Sequence, residues 1–222
     1  MFYFIFGTIF GSASYCFFSN KSNFNHFLYQ RSTCDHCKHT LQWNDLIPIF
    51  SYCFCLGRCK YCHSPIGYKY LFLELLMGCI FLYALPHLFS DYFYFFPSFI
   101  IICLMIVSDI HNFYVSDKLQ ILLFGTFFFY VLVSGHTIHF LSSILILIIL
   151  LSLQLLLPGS LGGADIKFMT IICLLLPLVQ IPLFIFISSL LGLFSILLLR
   201  IKILPFIPYL AISFFIIFFQ LN

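Results

Sequence analysis

Long apolar runs alternate with short polar breaks along this chain. Runs near 2–18, 70–88, 97–110, 119–134, 140–157, 166–181, 183–199 and 205–221 suit helices in hydrocarbon, which needs about 17–25 apolar residues per crossing. The pattern predicts an all-α, polytopic membrane protein of about eight spans. Only Gln180-Ile181-Pro182 divides the sixth run from the seventh, so a broken or re-entrant helix is the alternative there. Residues 19–69 form the one sizeable polar insertion, which predicts three parts: a first span over 1–18, a small polar domain over 19–69 and a multi-span domain over 70–222.

Basic residues give the orientation, because loops on the cytoplasmic side collect Lys and Arg. Lys21, Arg31, Lys38, Arg58, Lys60 and Lys69 lie between the first and second runs, Lys118 between the third and fourth, Lys167 between the fifth and sixth, and Arg200 and Lys202 between the last two. The connections near Ser90-Asp91, Gly135 to His139 and Gln180-Ile181-Pro182 carry none. Both termini are therefore expected outside, with the polar domain and the carboxylates Asp109, Asp117 and Asp165 on the cytoplasmic side. The start of the chain lacks a basic n-region and an Ala-x-Ala cleavage site, so it reads as a retained span.

Composition agrees with that class. Of 222 residues, 63% are hydrophobic and 8% charged, against about a quarter charged in a soluble domain. The net charge of +3 is spread over the loops, so the lipid bilayer is the expected partner and nucleic acid is not.

Four of the ten cysteines form two pairs, Cys34-Asp35-His36-Cys37 and Cys59-Lys60-Tyr61-Cys62. Four thiolates from two such knuckles make a closed tetrahedral zinc site. A polar insertion with few apolar side chains needs that staple to fold, so a zinc-ribbon-like structure with Cys34, Cys37, Cys59 and Cys62 as ligands is expected. Disulfides are the alternative, disfavoured in a reducing cytoplasm. Cys53 and Cys55 are near enough to compete as ligands, His36, His39 and His63 read as surface residues, and Cys79, Cys103 and Cys173 read as small core residues.

Two acidic residues sit at the ends of apolar runs: Asp109, after Phe99 to Val107, and Asp165, after Gly162-Gly163-Ala164. A carboxylate beside hydrocarbon is costly without a partner or a role. Two that share a site divide the labour of acid and base, which is what activating water against a peptide carbonyl requires. A proton- or ion-coupled transporter using the same Asp residues, or structural pairing with Lys118 or Lys167, are the alternatives. The edge position argues against transport. A non-catalytic scaffold with a zinc-bound docking domain is a third reading. Asp117 suits the N-cap of the fourth span, and Glu74 suits a pair with Lys69 or Lys60. His136 and His139 make a weak metal candidate.

The chain resembles the type IV prepilin peptidases, membrane aspartyl proteases of the Gly-x-Gly-Asp kind. The resemblance runs through Gly11-Ser12, Arg31, Cys34-x-x-Cys37, Trp43 to Tyr52, Gly57 to Cys62, Pro65-Ile66, Tyr70, Glu74, Asp109, Asp117-Lys118-Leu119 and Gly162 to Lys167. It implies removal of the basic leader from prepilin or pseudopilin substrates at the cytoplasmic face of a bacterial plasma membrane. Asp109 and Asp165 would be the catalytic pair, supported by Gly162, Gly163 and Lys167. The short length and the Gly-Gly-Ala-Asp form look most like the competence-type enzymes of Gram-positive bacteria. Many members also N-methylate the new N-terminus with S-adenosylmethionine, an activity associated with the Cys domain and one to which Glu74 would be a candidate contributor.

Overall fold

Every apolar run carries a helix in the computed structural model, which describes residues 1–19, 32–34, 36–90, 92–159, 161–199 and 204–221. The nine α-helices among them are α1 Phe2–Ser19, α2 Phe50–Phe54, α3 Tyr68–Ser90, α4 Phe96–Asn112, α5 Asp117–Ser134, α6 Phe140–Leu156, α7 Gly163–Ile172, α8 Ile181–Leu199 and α9 Ile207–Leu221. Lys21, Arg31, Asp35, Asp91, Arg200 and Lys202, used above for orientation or in a Cys pair, lie outside the described residues. Five helices are long and apolar enough to cross a bilayer, namely α1, α3, α4, α5 and α8, and α6 and α9 are shorter apolar helices.

The sixth run differs from expectation. Instead of a span over 166–181 it forms α7, ten residues long, which at 1.5 Å per residue covers about half of the hydrocarbon thickness. Beyond Ile172 the chain leaves the helix, with short-range bonds from Leu174 N to Ile171 O and from Leu175 N to Ile172 O, and His139 N donating to Leu174 O at 2.9 Å. Leu175 and Leu176 there are fully buried. Non-helical backbone is tolerated at membrane depth where protein covers it and supplies partners.

The chain divides into two compact units, Met1–Pro86 and His87–Asn222. In the first, α1 lies against α3 through glycines. A Cβ on Gly7 would come within 2.5 Å of the Met77 carbonyl oxygen, one on Gly78 within 2.6 Å of the Phe4 ring, and one on Gly11 within 3.0 Å of Met77. With lipid on the outside there is little hydrophobic drive between helices, so close backbone approach through small residues supplies the attraction. The Gly7-x-x-x-Gly11 spacing states this in the sequence.

In the second unit α4 and α9 run antiparallel. At one end Phe95 packs on Phe218, with ring centroids 4.8 Å apart, and Phe99 on Phe215, at 5.4 Å. Phe127, Tyr130 and His136 join that aromatic cluster. Asp109 lies near the other end of α4, about 20 Å further along the helix. His136 is thus an aromatic-cluster residue, and His139 caps the unwound segment through its backbone. Cys103 and Cys173 are buried, as expected, but Cys79 is exposed on α3, because its position falls on the helix face turned away from the core.

Candidate functional site

Asp109 lies in the last turn of α4, which ends at Asn112. The helix stops there because Phe113 takes a left-handed conformation (φ 52°) and returns its N–H to the Asp109 carbonyl at 2.8 Å. The Asp109 side chain is buried, and its Oδ2 accepts a hydrogen bond from Ile207 N at 3.1 Å. Ile207 is the first residue of α9, so the carboxylate takes one of the orphan donors of that helix and meets its positive end. Asp165 stands in the first turn of α7, where the dipole of its own helix favours a negative charge. Its side chain folds back over Gly162, with Oδ2 2.8 Å from where a Gly162 Cβ would lie. Asp109 lies within electrostatic reach of Asp165. One of these carboxylates is seated at the start of α9 and the other in the first turn of α7.

The glycines before Asp165 separate in role. A Cβ on Gly162 would sit 2.8 Å from the Asp165 Oδ2, whereas one on Gly163 would meet nothing within 4 Å. Gly162 makes room for the folded-back carboxylate, and Gly163 has no steric duty. Lys167 turns to Asp117, with 2.6 Å between Nζ and Oδ1, and both side chains are more than half exposed. Asp117 begins α5 and the N-cap position before it belongs to Ser116, which corrects the expectation that Asp117 caps the helix. Gln120, one turn further along α5, is buried and donates from Nε2 to the Ala164 carbonyl at 3.0 Å. Sequence reasoning passed it over, although it follows Asp117 at the i+3 spacing that shares a helix face.

In the first unit the four thiols of Cys34, Cys37, Cys59 and Cys62 have their sulfurs within 4.8 Å of one another. The two knuckles are built alike. Cys34 N bonds to His39 O and Cys59 N to Ser64 O, while Lys38 N returns to Cys34 O and His63 N to Cys59 O. Lys38 and His63 take positive φ, 59° and 57°, a conformation that costs non-glycine residues about 1–3 kcal/mol, and isolated bridges Thr33–Thr40 and Arg58–Pro65 close the two loops. The Cys34 to Cys62 sulfur separation is 3.9 Å, close to the edge of about 3.8 Å that a tetrahedron with metal–sulfur bonds of about 2.3 Å would have. The donor set therefore fits a structural metal ion. Cys53 and Cys55 stand outside this cluster, and His36, His39 and His63 are exposed. The Ser64 side-chain and backbone hydrogen bonds pull the Cys62 thiol down to about 6. Asp45 ties the second knuckle to the 3-10 turn Trp43–Leu46, accepting from Tyr61 Oη at 3.0 Å and from Gln42 N at 3.1 Å.

Glu74, buried on α3, accepts from Ile49 N at 2.8 Å. Ile49 is the centre of a γ-turn (φ 63°, ψ −52°) closed by Phe50 N to Pro48 O at 2.6 Å, a rare and strained turn. Lys60, one of the expected partners of Glu74, pairs with Asp45 at 3.9 Å instead.

Residues 5–88 match the family model of the bacterial peptidase A24 N-terminal domain, and residues 93–197 that of the type IV leader peptidase family. A prepilin leader peptidase/N-methyltransferase of Bacillus subtilis is 30% identical over 203 residues, covering 85% of this chain and 78% of that protein. This chain belongs to the type IV leader peptidase family. A second relative of the same description, from Vibrio cholerae, is 26% identical over 220 residues, covering 89% of this chain and 86% of that protein. One from Burkholderia pseudomallei is 42% identical over 50 residues, 22% of this chain and 16% of its own length. No solved structure matches the chain. The first family match contains the four-thiol cluster and Glu74, and the second contains Asp109 and Asp165. Ile207, which donates to Asp109, lies beyond both.

Proposed function

We propose that this protein is a bacterial membrane aspartic endopeptidase that removes the basic leader from type IV prepilin-like or pseudopilin substrates, with Asp109 and Asp165 as its catalytic pair. The observation that carries this reading is a buried carboxylate, Asp109, seated at the start of α9 and within electrostatic reach of Asp165, in a chain of the type IV leader peptidase family. One proton shared by two neighbouring carboxyl groups leaves one as acid and one as base. The base takes the proton of a water molecule as it attacks the scissile carbonyl, and the acid protonates the developing oxyanion and then the leaving amine. Ile207 N holds the Asp109 carboxylate in place through the oxygen it donates to, which supplies part of the preorganisation such chemistry needs.

The rest of the architecture supports the same reading. An apolar substrate segment reaches outward-facing helices through the bilayer, and a basic leader meets carboxylates at the cytoplasmic edge. In the proposed topology the chain crosses the membrane about eight times, with both termini outside and the metal-binding domain, 19–69, cytoplasmic between the span 1–18 and the multi-span domain 70–222. Zinc held by Cys34, Cys37, Cys59 and Cys62 fixes the fold of that domain. N-methylation with S-adenosylmethionine would fall to the same domain. The Gly-Gly-Ala-Asp sequence favours a competence-type enzyme.

Mass spectrometry of a co-expressed prepilin's N-terminus tests the reading directly. Wild-type protein should yield the shortened, methylated N-terminus, and an unchanged precursor in its presence would refute the peptidase assignment.

A further inference from the structure

We propose that Gln120 is a positioning residue for Asp165, holding the first turn of α7 in the setting that the reaction requires; this rests on the assignment of Asp165 to the catalytic pair. The first turn of α5 grips the first turn of α7 at two points that bracket Asp165. Gln120 Nε2 donates to the Ala164 carbonyl at 3.0 Å, directly before it, and Asp117 pairs with Lys167 at 2.6 Å, two residues after it. Both pairs of positions are three residues apart, so one face of α5 meets one face of α7 in register.

The two grips differ in strength. The Lys167–Asp117 pair is exposed, where such pairs contribute little. Gln120 is 3% exposed, so its bond is shielded from water. The same burial leaves its Oε1 without a donor among the described residues, an unfavourable arrangement that a leucine or methionine of similar size would remove. The amide thus contributes a specific directed bond at a cost to the packing around it. That bond reaches the carbonyl of the residue whose neighbour carries the reacting carboxylate, and displacement of such a group by about 1 Å lowers rates by about a hundredfold.

The test compares wild type, Gln120→Met, Gln120→Glu, Lys167→Met and Asp165→Asn as full-length, monodisperse protein in proteoliposomes, with a purified type IV prepilin as substrate. Gln120→Met keeps the shape and removes the N–H; Gln120→Glu keeps an acceptor but offers no donor. Both should lower kcat ten- to a hundredfold with KM unchanged and displace the pH profile of cleavage, and Lys167→Met, run beside them, shows how much the exposed second grip adds. Should both Gln120 variants keep the wild-type kcat per folded molecule and the wild-type pH profile, altering only abundance or thermal stability, the positioning role is overturned while an inactive Asp165→Asn leaves the catalytic assignment standing. An active Asp165→Asn instead overturns the catalytic assignment itself.

Discussion

The carboxylate of Asp109 accepts a hydrogen bond from the backbone N–H of Ile207, a residue 98 positions away in the chain. A side chain at the end of one helix is thus seated at the start of another, where the unsatisfied N–H groups concentrate positive potential. Asp165 stands instead in the first turn of its own helix, α7, with its carboxylate folded back over Gly162.

Asp109→Asn and Asp165→Asn should each abolish leader removal, by at least about a hundredfold, while the protein still accumulates in membranes. Immunoblotting of a co-expressed prepilin, which separates precursor from product by size, checks this.

Gly162 and Gly163 should respond in opposite ways to alanine. Gly162→Ala places a methyl 2.8 Å from the Asp165 carboxylate oxygen and should sharply reduce cleavage, whereas Gly163→Ala enters open space and should retain nearly full activity. Steady-state kinetics of the two variants side by side distinguishes them.

The metal cluster has a pH dependence with a definite sign. Protons compete with the metal for the thiolates, so acidification should release the ion, and the Ser64 hydrogen bonds, which favour the Cys62 thiolate, oppose that release. Ser64→Ala removes one stabilising bond to the thiolate, and its half-release should move to higher pH. Metal content measured across a pH series after desalting reports the shift, and Cys34→Ser should lose the ion at every pH.

Glu74→Leu should loosen the turn at Ile49. The Ile49 N–H then loses its acceptor, a loss of about 1–3 kcal/mol for a buried group, and limited proteolysis should cut between Trp43 and Tyr52 faster than in wild type. Glu74→Gln keeps an acceptor oxygen and should be cut more slowly than Glu74→Leu.

Gly78→Leu should separate α1 from α3. The ring of Phe4 lies 2.6 Å from where the Cβ would be, so the close approach that joins these helices in lipid is lost. A lower melting temperature in detergent, with the prepilin-cleavage residues untouched, is the expected result.

Much of this was legible in the chain because its signals are local. A helix in lipid must satisfy its own backbone, so apolar run length alone located the helices, and ligand spacing alone located Cys34, Cys37, Cys59 and Cys62. Asp109 and Asp165 stood out because carboxylates at the ends of apolar runs are rare. The sixth run misled because its composition is that of a span, yet the backbone after Ile172 finds partners such as His139 N outside its own helix. The resemblance offered Lys167 as support for the site, and only the packing showed that its ammonium meets Asp117 on α5.

What the sequence determined by itself was therefore the class of protein, the helices and the chemically distinctive residues, all properties of one residue and its near neighbours. Only the tertiary structure decided that Ile207 seats Asp109, that Gln120 grips the Ala164 carbonyl and that Glu74 pins Ile49. Those bonds join positions 25 to 98 residues apart, and no local periodicity encodes which distant backbone group will lie within about 3 Å of a given side chain once the helices have packed.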